Sequence, residues 1–313
     1  MTEAKRHSEP DASSQEFRIT FRDDAIPEAD RQNAESSVAA LVARSAAAIA
    51  QECAAEADLA ALTASANGPI VKLLEEDSVA DKALEALRTH QFAHRGAMES
   101  LREDRRPTLT ERTLPLAPEA GVGLRTLGFV PPYDFTWSWH DTNGHAPFNQ
   151  LGPMLDGSVG LDARSGAVPG GASGFVNAHA GVGIFLSSDT EGKRFPHSVL
   201  DPGRYSFREA TVGIGANATS EGGFELTVFE DGHFLTGASR LLWHRRVSEG
   251  DDASGGQEAQ VFTGPELEFT LRAGHGYTFN AGIWVTSDRT TGIGAAAVQS
   301  LLQGTVARMW VFG

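Results

Sequence analysis

The chain has 313 residues with a formal net charge of −15, 41% hydrophobic and 21% charged residues, and a single cysteine. That balance describes a globular chain with one large core or two smaller ones and excludes disordered and collagen-like classes. The excess of carboxylates repels phosphate backbones, so nucleic acid is not an expected partner, and Cys53 alone makes neither an internal disulfide nor a Cys-rich metal site.

The first residues, Met1 to Phe17, are polar and contain no apolar run of the kind a secretion signal needs. The most apolar helical stretch, Val38 to Ala50, is alanine-rich and interrupted by Arg44 and Ser45, far short of a membrane span. A cytoplasmic location at synthesis and no membrane span are therefore expected, with release by a route that needs no signal peptide left open. Of the 34 glycines, only Gly68 and Gly96 precede Arg106, and all five tryptophans follow it. This change in composition predicts a boundary and an α+β chain: a polar segment over 1–23 with a short strand at Phe17, Ile19 and Phe21, an Ala-rich helical hairpin over 24–104, and an antiparallel, jelly-roll-like β-sandwich over 107–313.

In the first helix, Pro27 suits the first turn, and Val38, Val42, Ala46, Ile49, Cys53, Ala57 and Ala60 step by fours and threes along one face. Asn67-Gly68-Pro69 stops it. A second helix, capped by Ser78 with Asp81, runs to about Glu103 and carries a seam of Ala80, Leu84, Leu87, Gln91, His94, Met98 and Leu101. Faces built from alanine bury little area, so the helices are expected to pack on each other, on a second subunit or on the sandwich. His90 and His94 stand one helical turn apart, but the residues between them lack the glutamate of a metalloprotease helix.

Beyond the boundary the period changes to two. Tyr133, Phe135, Trp137 and Trp139 share one side of a strand, and Asp134, Thr136, Ser138 and His140 the other. The aromatic stripe is expected at the centre of the sandwich core; its functional alternative is a stacking platform for sugar rings, with Trp137, Trp139, Trp284 and Trp310 as ligand-binding residues. The loop that follows brings His140, Asp141 and His145 within reach of one cation, the basis of a metal-dependent hydrolase reading.

Phe175 to Leu186 alternates without a slip, and Phe224, Leu226 and Val228 run into Asp231-Gly232, the signature of a two-residue hairpin turn. Further strands are expected at Tyr205–Ala216, Ala238–Arg246, Leu267–Leu271, Tyr277–Val285 and Thr305–Phe312, a short helical turn at Ala295–Leu302, and a polar loop at Glu249–Gln257. Ser173 lacks the spacing of a nucleophile elbow, and Gly181 and Gly183 belong to a strand rather than a dinucleotide loop. No cofactor is implied, and no acidic pair is distinguished as catalytic. The functional expectation is a non-enzymatic interaction protein that self-associates or binds a protein partner through the helices and presents a recognition sandwich. A lectin-like, glycan-binding sandwich is the alternative.

Overall fold

The computed structural model describes residues 16–23, 26–45, 47, 51, 58, 62, 127–142, 148–150, 152–165, 174–187, 189–248, 250–290 and 293–313. Among them run β1 (Glu16–Phe21), a helix α1 over 28–45, β2 (Leu127–Phe129), β3 (Phe135–Thr142), β4 (Phe148–Gln150), β5 (Ser158–Ser165) and β6 (Gly174–Ser187). The remaining strands are β7 (Gly192–Ile214), β8 (Asn217–Glu230), β9 (His233–Ser248), β10 (Asp252–Thr263), β11 (Phe269–Leu271), β12 (Gly276–Thr290) and β13 (Ile293–Phe312).

The strands form two antiparallel sheets: six strands in the order β1-β3-β6-β12-β8-β9, and seven on the path β10-β7-β13-β5-β4, with β11 on β7 and β2 on β13. The apolar alternation predicted for β6 is realised, since Val176, Ala178, Ala180, Val182, Ile184 and Leu186 join Phe224, Leu226, Val228, Phe279 and Ile283 on the inner face of the six-stranded sheet. Leu161, Leu200, Leu302, Val306 and Met309 meet them from the other sheet. The hairpin β8–β9 turns at Asp231 and Gly232, both at positive φ, as the primed turn requires.

The expected α+β division is corrected. The described chain is nearly all β, with one helix and two antiparallel sheets, rather than a helical hairpin ahead of a sandwich. The reason lies in what covers α1. Its Ala34, Val38, Leu41 and Val42 pack on Phe135, Trp137, Trp139, Phe175 and Phe229, on the outward side of the six-stranded sheet, so the apolar face is buried without a second helix. The predicted second helix, Cys53, His90 and His94 lie outside the described residues.

Two further expectations change. The polar stretch read as a loop from Glu249 is largely strand β10, hydrogen-bonded to β7 but exposed over most of its length. Backbone pairing at an edge needs no apolar partner, so no hydrophobic rhythm announces it. The stretch 295–302, read as a helical turn, lies within β13, between β5 and β7. No helix among the described residues is long and apolar enough to cross a membrane.

Candidate functional site

The aromatic stripe is buried, but not in the sandwich core. Since Val176, Ala178 and Ala180 point inward, the alternate positions Asn177, His179, Gly181 and Gly183 point outward, and β3 pairs with them in register. Cross-strand pairing then lays out the outer face in rows. Phe135, Gly183, Asn280 and Thr227 make one row; Trp137, Gly181, Gly282, Glu225 and Ser239 the next; Trp139, His179, Trp284 and Gly223 a third; Asp141, Asn177, Thr286, Glu221 and His244 a fourth. Rows stand about 7 Å apart along the strands.

Glycine allows the large rings to lie flat. A Cβ built on Gly181 would stand 2.7 Å from the Trp137 ring, and one on Gly282 2.6 Å from it. Gly223 lies equally close beneath the Trp284 indole. Trp139 and Trp284 both stack on the imidazole of His179, with ring centroids 4.3 and 6.5 Å away. His179 Nδ1 lies 2.7 Å from Glu225 Oε1; because a carboxylate only accepts, Nδ1 carries the hydrogen of this bond. The Trp284 Nε1–H donates to Ser239 Oγ at 2.6 Å.

In the fourth row, His244 Nδ1 lies 3.0 Å from Glu221 Oε1, and the Thr286 hydroxyl donates to Asn177 Oδ1 at 3.2 Å. Asn280 donates to Thr227 Oγ1 at 3.4 Å. His179, Glu221, Glu225, Asn177 and Asn280 are buried, whereas Trp284 and Thr286 are half-buried and His244 is exposed, so the face opens on the side of β12 and β9. Among the described residues, the Nε1 atoms of Trp137 and Trp139 and Oδ1 of Asn280 are buried without a hydrogen-bond partner.

Three of the four predicted ligand-binding tryptophans, Trp137, Trp139 and Trp284, therefore share this face. Trp310 does not: it lies on the outer side of the seven-stranded sheet, stacked on His197 at 5.5 Å and faced by the Arg308 guanidinium. The proposed metal trio falls only in part on the described residues. His140 and Asp141 are successive residues of β3 and point to opposite faces, and His145 lies outside the described residues. Among the described residues no group of three or more His, Cys, Asp or Glu could hold a metal ion.

Sequence reading missed Glu221, Glu225, His179 and Asn177. Their signal was present: in β8 the apolar Phe224, Leu226 and Val228 alternate with Glu221, Gly223, Glu225 and Thr227, so a central strand carries polar residues on a face where another apolar layer would be the ordinary choice.

No known family profile and no curated protein matches the chain. Among solved structures, Arthrobacter globiformis T6 isomalto-dextranase complexed with panose resembles it at 12% identity and a TM-score of 0.16. The likeness covers 56% of this chain and 36% of that one, so the chain spans about a third of that enzyme's length. A superposition of that quality has no bearing on what the face binds.

Proposed function

We propose that the chain is a carbohydrate-binding β-sandwich whose ligand sits on the outer face of the six-stranded sheet. The observation that carries this reading is Trp284, half-buried and held flat beside a ring-stacked imidazole, with carboxylate, amide and hydroxyl groups on neighbouring rows. A sugar presents an apolar C–H face and a rim of hydroxyls; an indole covers the first, and Glu225, Asn280, Thr227 and Ser239 serve the second. The polar groups also explain a design that apolar packing alone does not require.

The test is a glycan array followed by titration of tryptophan fluorescence. The expected result is binding of at least one oligosaccharide with a change in emission, weakened on the order of tenfold or more in Trp284→Ala, as for removal of an aromatic anchor. A folded protein, checked by circular dichroism, that binds no glycan on the array overturns the reading.

A further inference from the structure

We propose that the chain forms a two-fold dimer in which β9 of each copy pairs, antiparallel, with β10 of the other. The proposal is independent of what the outer face binds. β9 ends the six-stranded sheet and β10 the seven-stranded one, so among the described residues each is paired along one side only. Both edges lie on the same flank of the sandwich. Arg240 of β9 donates to the Thr263 carbonyl of β10 at 3.1 Å, Val247 packs with Ala253, and Trp243 stacks at 4.6 Å on Tyr205, the register partner of Gln257. The two strands therefore run in opposite directions at the same height, one on each sheet.

In β10, Asp252 and all of Ser254 to Val261 are exposed. Gly255 and Gln257 are exposed although they share the inward side with their register partners Phe207 and Tyr205, so this part of β10 reaches past the cover of the other sheet. Open edges of this kind invite another strand, and proteins that avoid it guard them with lysine, proline or bulges. β10 contains no lysine or proline, and its irregular pairing is confined to Gln257–Phe262, leaving Asp252–Gln257 regular. β9 is regular over Trp243–Ser248, a stretch of the same length at the same height, and its irregularities lie towards Phe234.

Half a turn about an axis along the strands preserves their direction and height and exchanges the two sheets. It brings β10 of the second copy beside β9, antiparallel, with outer face continuing outer face. At matched heights Val247 meets the partner's Ala253, Arg245 the partner's Gly255, Arg246 the partner's Ser254 and His244 the partner's Gly256, so each large side chain faces a small one. The same rotation sets the overhanging inner sides of the two β10 strands against each other. Charge selects this pairing over its rivals. β9 carries three arginines, two histidines and no acid, whereas β10 carries Asp252 and Glu258 and no base. Pairing β9 with β9 would gather only bases, and β10 with β10 only acids; β9 with β10 sets the partner's Asp252 diagonal to Arg246. Some of these groups also bond within the chain, Arg246 to Asn217 and His244 to Glu221, so the charges decide which strand is chosen more than how tightly it is held.

The test is sedimentation equilibrium of the full chain between about 1 and 200 µM, with hydrogen exchange at both ends of that range. A monomer–dimer equilibrium is expected, with amides of Trp243–Ser248 and Asp252–Gln257 exchanging about tenfold or more slowly in the dimer. Ser254→Lys, an exposed change that sets a cation opposite Arg246 of the second copy, is expected to raise the dissociation constant about tenfold or more. Should that variant misfold by circular dichroism, exchange on the unaltered protein still decides. A monomer throughout the range overturns the proposal. So does a dimer in which neither stretch gains protection, or one that a folded Ser254→Lys leaves unchanged.

Discussion

Gly181 lies so close beneath the Trp137 indole that a methyl group added to it would stand 2.7 Å from the ring and 2.5 Å from the Ala281 carbonyl oxygen. The second contact is with backbone of the neighbouring strand, so a side-chain rotation alone does not relieve it. Gly181→Ala is therefore expected to lift the indole, disturb the β6–β12 ladder and destabilise the protein by about 1–3 kcal/mol, the range for overpacking. Urea denaturation measures the loss. A midpoint unchanged from the wild type would show that the aromatic layer is not seated as described.

Between the sheets, a second prediction concerns hydroxyls rather than rings. Trp243 Nε1 donates to Ser220 Oγ at 2.8 Å, Ser220 and Ser300 share a hydrogen bond of 2.7 Å, Ser287 donates to Ser300 at 2.7 Å, and Ser300 donates to the Thr286 carbonyl at 3.0 Å. All three serines have no exposed surface. Ser300 is the node, so Ser300→Ala leaves several buried groups unsatisfied and is expected to cost about 2–3 kcal/mol, more than Ser287→Ala at the edge. The Ser220→Ala, Ser300→Ala double variant is expected to lose less than the two single losses combined. Simple additivity would mean that the hydroxyls do not act together.

The strands of the sandwich were legible because their burial alternates, and β6, β8 and β12 announce themselves in Val176–Leu186, Phe224–Val228 and Tyr277–Val285. The side on which a stripe lands was not legible. Trp137 and Trp139 obey the same period whether they face the second sheet or a helix, and only pairing with Gly181 and His179 on β6 decides between them. The helix was readable from Val38 and Val42, but not its destination, since an apolar helical face fits a sheet as well as another helix. Of the site, the tryptophans were found through their rarity. Glu225 and His179, 46 residues apart in the chain, meet only through β12, which lies between their strands.

At one end of β8, Glu230 ties two turns together. Its carboxylate accepts from Tyr277 Oη at 2.6 Å and from Arg272 Nε at 2.8 Å, and its second oxygen pairs with Arg272 Nη2. Next to it, Asp231 lies 2.6 Å from His275 Nδ1 and accepts from the Gly276 amide at 2.9 Å. The Arg272 bond holds the Glu230 carboxyl below its ordinary pKa, and the His275 bond does the same for Asp231. Both groups bind protons more weakly folded than unfolded, so they stabilise the fold above the ordinary carboxylate range and lose that contribution as the pH falls through it. Tyr277→Phe removes one bond to Glu230 and the oxygen that accepts the Arg272 amide, with an expected loss of about 1–2 kcal/mol. Thermal melts from pH 3 to 7 should show a smaller acid loss in Glu230→Gln than in the wild type; an identical acid limb would exclude this clamp as its source.

Glu209 pulls in the opposite direction. It is 1% exposed, neither carboxyl oxygen makes a hydrogen bond of normal geometry among the described residues, and its β-sheet neighbours Val298 and Ala253 are apolar. Burial pushes its pKa up to about 7, only partly offset by the Ser220 backbone amide and by Arg245. The folded protein therefore holds this proton while the unfolded chain releases it, so stability falls as the pH rises from the unfolded carboxylate value through about 7 and levels off above that. A shift of that size corresponds to about 3 kcal/mol. Glu209→Gln, which cannot ionise, is expected to escape the decline, so the gap between variant and wild type widens from pH 4.5 to 7.5 in urea titrations. Glu230 and Asp231 withdraw their contribution in acid and Glu209 withdraws its own towards neutrality, so removing the buried acid is expected to move the pH of greatest stability upward. A gap that stays constant across the range would mean that Glu209 ionises as readily inside the sandwich as in the unfolded chain.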